Sequence, residues 1–238
     1  GGTVHVWAAG GGDLLRSFEA HYRTVNCIAA GLGTGGDLVV TGGADALVRC
    51  WGLVDLVAAN EGGQKAAPPR PRWTASAHRL PVQAVGPLPG ASRVVSVSLD
   101  RTAKVWELGS GGCVLSVTCG AGLRALAADP AGRFLYLGQV PGLIQEVPIT
   151  PTSADSGGGG GLASGAAGAL MVGHTAAVVS LALSAERGFL VSGSEDGTCR
   201  LWDPPSKQCL RTLKLHKGPV SQVLLCPRPA AALSLAGA

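Results

Sequence analysis

Short apolar runs recur along the whole chain, each bounded by Gly, Asp, Ser or Pro. Their length and their content of Val, Leu and Ile predict β-strands rather than helices. The clearest set lies late in the chain. VVSLAL (178–183), GFLVSGS (188–194), TCRLWD (198–203) and QCLRTL (208–213) predict four successive strands, with Glu195-Asp196-Gly197 as the turn between the second and third. Segments 123–128, 133–138 and 143–147 predict three more. Residues 4–7 and LLRSF (14–18) predict a pair near the start, and 220–225 a single strand near the end.

Polar positions set a longer period. Three segments share one plan, reading VVTGGADALVRCW up to Trp51, VVSVSLDRTAKVW up to Trp106 and LVSGSEDGTCRLW up to Trp202. The first contains His21, Thr41, Asp45 and Trp51; the second His78, Ser96, Asp100 and Trp106; the third His174, Ser192, Asp196 and Trp202. Asp to Trp is six residues every time and Ser or Thr to Asp is four, while His to Asp is 22 in two segments and 24 in the first. An indole N–H only donates, a carboxylate only accepts, and hydroxyl and imidazole do both. Four such groups can satisfy one another where an unpaired buried polar group would cost about 1–3 kcal/mol. The same residue types would suit a Ser-His-Asp hydrolase. That reading fails against the threefold recurrence, the constant Trp and the absence of a G-x-S-x-G turn, so no catalytic residue is assigned.

These residues resemble the WD40 repeat, in which G-H near the start and W-D near the end mark one four-stranded blade of about 40–45 residues. Gly173-His174 and Trp202-Asp203 match both pairs; the other segments have Ala20-His21 and Ala77-His78, and Gly52 or Glu107 after the Trp. The resemblance implies an all-β WD40 β-propeller, with each His, Ser/Thr, Asp and Trp linked in a hydrogen-bonded chain inside one blade. Trp106 and Trp202 lie two repeat lengths apart, so a degenerate blade belongs between them. Cys119, Pro141 and Val147 stand there where His, Asp and Trp are expected. That blade relies on packing alone and is expected to be the least stable full one.

The expected division is a half blade (1–18), a blade (19–76), a second (77–118), the degenerate blade with a Gly-rich insertion (119–172), a further blade (173–213) and the start of the next (214–238). Four full blades with partial blades at both ends suggest a fragment of a seven-bladed ring, because propellers close with 4–8 blades and an open arc leaves raw strand edges. The opening Gly1-Gly2-Thr3, with no initiator Met and no signal peptide, is read the same way. Insertions 53–72, with PPRPR (68–72), and 148–169, with five consecutive glycines (157–161), both follow a third strand. They are expected to project from one rim, the Gly-rich one flexible. A solvated loop is favoured for PPRPR over a polyproline ligand.

Composition narrows the function classes. With 37 Gly, 15 Pro and only 14% charged residues, the chain suits short strands and tight turns. A net charge of +4 with no concentrated basic stripe permits direct RNA contact without supporting it. Cys27, Cys50, Cys113, Cys119, Cys199, Cys209 and Cys226 show neither C-x-x-C nor zinc spacing. They are expected to be buried, unpaired thiols of a reducing compartment. No phosphate-cradling G-x-x-x-x-G-K-S/T motif occurs, no apolar stretch nears the roughly 18 residues of a membrane span, and no cofactor or metal is expected.

Finer features point within the family. His21-Tyr22 with Val25 and Cys27 opens one blade, and SLDRTAKVWEL (98–108) closes the next. A blade without its Trp then precedes a long insertion, and SKQCLRTL (206–213) followed by Lys217-Gly218-Pro219-Val220 closes the arc. That order resembles the WD-repeat subunits of the nuclear complex that matures the large ribosomal subunit. The resemblance implies a non-catalytic scaffold in pre-rRNA spacer processing, in the nucleolus or nucleoplasm, with a Rix-type (PELP-like) scaffold and the midasin ATPase as partners and no membrane association. The competing reading is a WD40 adaptor elsewhere, such as a ubiquitin-ligase substrate receptor or a DNA replication-licensing factor. In a propeller the turns between second and third strands share one face with the loops between blades. On that face the sequence places Arg23, Arg79, Arg101 and Lys217, a candidate surface for an acidic partner.

Overall fold

A computed structural model describes residues 1–57, 68–90, 92–151, 162–164, 168–185, 188–214 and 216–226. β1 (Thr3–Trp7) and β2 (Leu14–Glu19) pair as a two-stranded antiparallel sheet. The next sheet runs β3 (Val25–Leu32), β4 (Leu38–Gly43), β5 (Val48–Gly52), then a short helix α1 (Leu53–Val57) before β6 (Trp73–Ala75). β7 (Val82–Leu88), β8 (Arg93–Ser98), β9 (Thr102–Glu107) and β10 (Cys113–Thr118) form the third. In the fourth, β11 (Leu123–Ala128), β12 (Phe134–Gln139) and β13 (Ile144–Pro151) are joined by β14 (Leu162–Ser164) and β15 (Leu170–Met171), both pairing with β13. β16 (Val178–Leu183), β17 (Leu190–Ser194), β18 (Cys199–Asp203) and β19 (Gln208–Leu213) complete the fifth.

Each sheet is an antiparallel meander, and the sheets face one another in chain order. Their first strands lie side by side, β3 against β7, β7 against β11 and β11 against β16. Four apolar cores fill the gaps. Val4 and Phe18 meet Val39 and Trp51; Val40 and Cys50 meet Val82, Val94 and Trp106. Val97 and Val105 meet Leu123, Leu135 and Leu137, while Tyr136 and Ile144 meet Val178, Leu190 and Trp202. Successive side chains of one strand thus enter different cores. This explains why β4 is buried throughout and why the second strands read as nearly unbroken apolar runs.

Two local devices recur. The turns between second and third strands close with the same i to i+3 hydrogen bond, from Ala46, Arg101, Gly142 and Gly197 to the carbonyls of Gly43, Ser98, Gln139 and Ser194. The donating residue is left-handed in all four, with φ of 65°, 69°, 84° and 78°, as in a type I turn with a following bulge. The first strands of the second to fifth sheets also shift register after their first residue, so Asn26, Gln83, Arg124 and Val179 bulge out. Bulges re-aim side chains. The Asn26 amide donates to the Val82 carbonyl of the next sheet at 2.9 Å, and the Arg124 guanidinium pairs with Glu195 in the next sheet's turn at 2.5 Å.

Several expectations are corrected. Residues 220–225 form no strand: the Val220 N–H reaches the Ser194 carbonyl and the Val223 N–H the Ser180 hydroxyl, which is docking onto β16 and β17 rather than a ladder. The first insertion does not project from the rim along its whole length, because α1 seats Leu56 in the core beside Phe18 and Trp51. Cys50 and Cys119 are buried, but Cys113, which opens the edge strand β10, and Cys226 are exposed. The glycine run 157–161 lies outside the described residues.

Candidate functional site

Each tetrad is built from four places in its sheet. The His lies on the loop entering the first strand, the hydroxyl on the second strand, the Asp in the following turn and the Trp on the third strand. In the second sheet His21 Nδ1 lies 2.9 and 3.0 Å from the two Asp45 oxygens, and Nε2 lies 2.8 Å from the Thr41 hydroxyl, to which the Trp51 indole donates at 3.0 Å. In the third sheet His78 bridges Asp100 at 3.1 Å and Ser96 at 2.8 Å, and Trp106 donates to Ser96 at 2.8 Å. In the fifth, His174 bridges Asp196 at 2.8 Å and Ser192 at 2.6 Å, and Trp202 donates to Ser192 at 2.8 Å.

The donor logic fixes the direction of each chain. Having accepted from the indole, the hydroxyl directs its own proton at Nε2, which leaves the proton of a neutral imidazole on Nδ1 to face the carboxylate. Burial lowers the pKa of all three imidazoles below the ordinary value, opposed only in part by Asp45, Asp100 and Asp196. Burial pushes the Asp196 carboxyl up, but hydrogen bonds from the Thr198 hydroxyl, the Thr175 N–H, His174 and the Thr198 N–H outweigh it and hold it below the carboxylate range. Asp100 is lowered in the same way. Thr41, Ser96 and Ser192 have no solvent exposure.

Sequence reasoning missed members of these networks. Thr102 and Thr198 each donate to their Asp at 2.6 Å and touch the same His nitrogen that the Asp does. The D-x-T spacing, present twice, could have signalled them; the second sheet has Leu47 there and offers only its N–H. Ser98 and Ser194 tie the same turns to the entering loops through the Leu80 and Ala176 carbonyls.

The fourth sheet has no tetrad. Cys119, Leu137, Pro141 and Val147 replace its members, and the Cys119 thiol, pushed up to about 11 by burial, is an inert filler. Two residues not singled out in the sequence stand nearby. Gln139 and Gln145, 2% and 7% exposed, lie diagonally across β12 and β13, and the Gln139 amide donates to the Gln145 carbonyl at 2.7 Å. They line a recess of about 430 Å³ with Gly120, Ala121, Pro141 and Leu143.

Arg23, Arg79, Arg101 and Lys217 are all exposed. Asp100 brings two of them together, taking the Arg79 N–H at 2.9 Å while Arg101 follows it in the turn. Arg23 precedes Thr24, whose carbonyl holds the turn residue Ala44, and Lys217 precedes Gly218, whose carbonyl packs against Gly197. All four therefore stand at the turn ends of their sheets. Among the described residues no three His, Cys, Asp or Glu side chains gather as metal ligands, and no helix is long and apolar enough to cross a membrane.

The family model described as WD domain, G-beta repeat matches residues 12–52, 69–107 and 168–203, leaving the sheet without a tetrad largely unmatched. The chain is 34% identical to WD repeat-containing protein 18 of Homo sapiens, over 98% of its own length and 52% of that protein. It is 33% identical to WD repeat-containing protein 18 of Danio rerio (96% and 52%) and 32% identical to Pre-rRNA-processing protein IPI3 of Yarrowia lipolytica (93% and 52%). The chain thus spans about half the length of the curated relatives it matches.

Proposed function

Because the chain belongs to the WD40-repeat family, we propose that it serves as a non-catalytic scaffold in pre-rRNA spacer processing and large ribosomal subunit assembly. The observation that carries this reading is the similarity along nearly the whole chain to a protein named for pre-rRNA processing. The tetrads support a structural role, since a nucleophile must be reachable and these hydroxyls are sealed beneath Trp, His and Asp. A scaffold of this kind works in the nucleus and binds other protein subunits, with a Rix-type (PELP-like) scaffold and the midasin ATPase as the partners. The exposed Arg23, Arg79, Arg101 and Lys217 offer an acidic partner a surface on the turn ends of the sheets.

Depletion of the complete natural protein tests this reading. The expected result is accumulation of spacer-containing precursors of the large-subunit rRNA, and an unchanged precursor pattern rejects it. Affinity purification separates the competing role: midasin and the scaffold are expected, whereas cullin and adaptor subunits in their place favour a ubiquitin-ligase receptor.

A further inference from the structure

Aligning Val147 with Trp106 puts Gly120, Ala121, Gln139, Pro141, Leu143 and Gln145 where the third sheet has Arg79, Leu80, Ser98, Asp100, Thr102 and Lys104. These six, with Gly168 and Leu170, line the recess. Of those third-sheet residues Asp100 belongs to the tetrad, Ser98 and Thr102 brace it, and Arg79 gives it a backbone N–H, so the recess adjoins the place of the lost carboxylate. The charged side chains at these positions are absent as well, since Arg, Asp and Lys become Gly, Pro and Gln.

The one polar feature left is an amide pair. A single Gln–Gln hydrogen bond consumes one donor and one acceptor, leaving the Gln139 carbonyl and the Gln145 N–H₂ without a further side-chain partner among the described residues. This remainder is the same whichever way the amides are turned. One acceptor beside one donor is the complement of a peptide group, which presents one N–H and one C=O. Leu170, in the lining, is 48% exposed, and Val140 and Val172, close in the chain to lining residues, are exposed at 43% and 69%. The volume falls within the range of small-ligand sites.

We propose that this recess binds an extended, uncharged peptide segment, seating one leucine-sized side chain against Leu143, Pro141 and Leu170 and pairing an adjacent peptide group with Gln139 and Gln145. A nucleobase edge also offers a donor beside an acceptor. A nucleotide brings a phosphate, however, and the two cations among the six aligned positions of the third sheet, Arg79 and Lys104, are Gly120 and Gln145 here, so an uncharged lining favours peptide over nucleotide. The proposal is independent of the ribosomal reading and stands or falls on this cavity.

The test is ligand-observed saturation-transfer NMR on the complete natural protein with N-acetyl-leucine N-methylamide, a leucine flanked by two peptide groups. Saturable transfer with half-saturation near about 1 mM is expected for a ligand of this size. Gly120 lines the recess and has open space where a Cβ would stand, so Gly120→Phe adds a ring at its wall without repacking and is expected to abolish the signal at an unchanged melting temperature. Gln145→Leu, which removes the donor at similar volume, is expected to weaken binding about fivefold; it tests the site even if the first variant unfolds. Absence of saturable transfer, equal transfer to the capped glycine analogue, preferential binding of adenosine monophosphate, or indifference to both substitutions each overturns the proposal. The last outcome would leave the amide pair as a packing substitute for the lost tetrad.

Discussion

Trp202 and His174 never touch through hydrogen bonds, yet both close on one atom: the Ser192 hydroxyl accepts from the indole at 2.8 Å and faces His174 Nε2 at 2.6 Å. Ser192→Ala therefore strands a buried donor and a buried acceptor together, and loses about 2–4 kcal/mol by the cost of unsatisfied groups. Ser192→Thr keeps the hydroxyl, and the second sheet already carries Thr41 at this position, so most of that loss is expected to be avoided. Urea-unfolding midpoints of the two variants check the ordering. Equal midpoints would mean that the chain contributes nothing beyond packing.

The same geometry sets an acid limit. His21, His78 and His174 titrate below the ordinary imidazole value, first because burial penalises the cation. A folded-state pKa below the unfolded one means that the unfolded chain binds more protons at pH values under about 6.5. Stability is therefore fully present above that pH and declines as the pH falls through it. Asp100 and Asp196, also lowered, extend the decline below about pH 4. Melting temperatures are expected to be lower at pH 5.5 than at pH 7.5. An equal or higher value at the acid end contradicts a neutral, buried imidazole in each sheet.

The repeated left-handed turn residue gives a backbone prediction of either sign. Ala46 and Arg101 occupy a conformation that costs a non-Gly residue about 1–2 kcal/mol, while Gly142 and Gly197 hold it without strain. Ala46→Gly and Arg101→Gly are each expected to stabilise by up to about 1 kcal/mol, the relief being offset in part by unfolded-chain entropy. Gly142→Ala is expected to destabilise by more than that, since its Cβ would stand 2.5 Å from the His174 carbonyl oxygen as well as incur the φ penalty. Thermal or denaturant midpoints decide all three, and stabilisation by Gly142→Ala would contradict the turn geometry.

What was legible in the sequence follows from how each feature is encoded. The spacing of His, hydroxyl, Asp and Trp locates the groups that the structure joins by hydrogen bonds, because a network needs particular atoms and tolerates few residue types. Strands such as 123–128, 178–183 and 208–213 coincide with the observed β11, β16 and β19, because apolar runs bounded by turns are local signals. The bulges left no trace, since Asn26, Gln83, Arg124 and Val179 share no chemistry. The Gln139–Gln145 pair was invisible for another reason: a diagonal cross-strand contact exists only once register is fixed. Residues 220–225 carry a strand pattern, yet a strand is made by its neighbour's hydrogen bonds, and among the described residues this segment meets only one carbonyl and one hydroxyl.

The basic residues at the turn ends yield the remaining prediction. Arg79 and Arg101 are exposed and flank one carboxylate that is already satisfied by the Arg79 N–H, the Thr102 hydroxyl and the Thr102 N–H. Their guanidinium groups are thus not needed to neutralise Asp100. Charge reversal, Arg79→Glu with Arg101→Glu, leaves the tetrad bonds in place and keeps a non-Gly residue at the strained turn, so the melting temperature is expected to change little. If an acidic partner docks here, co-purification weakens and its salt dependence falls, because screened surface attraction is the term removed. Arg101→Gly supplies the control, since it removes one charge while relaxing the backbone: weaker binding with higher stability separates the two roles of that residue. Undiminished co-purification of the double variant would show that these charges are merely solvated.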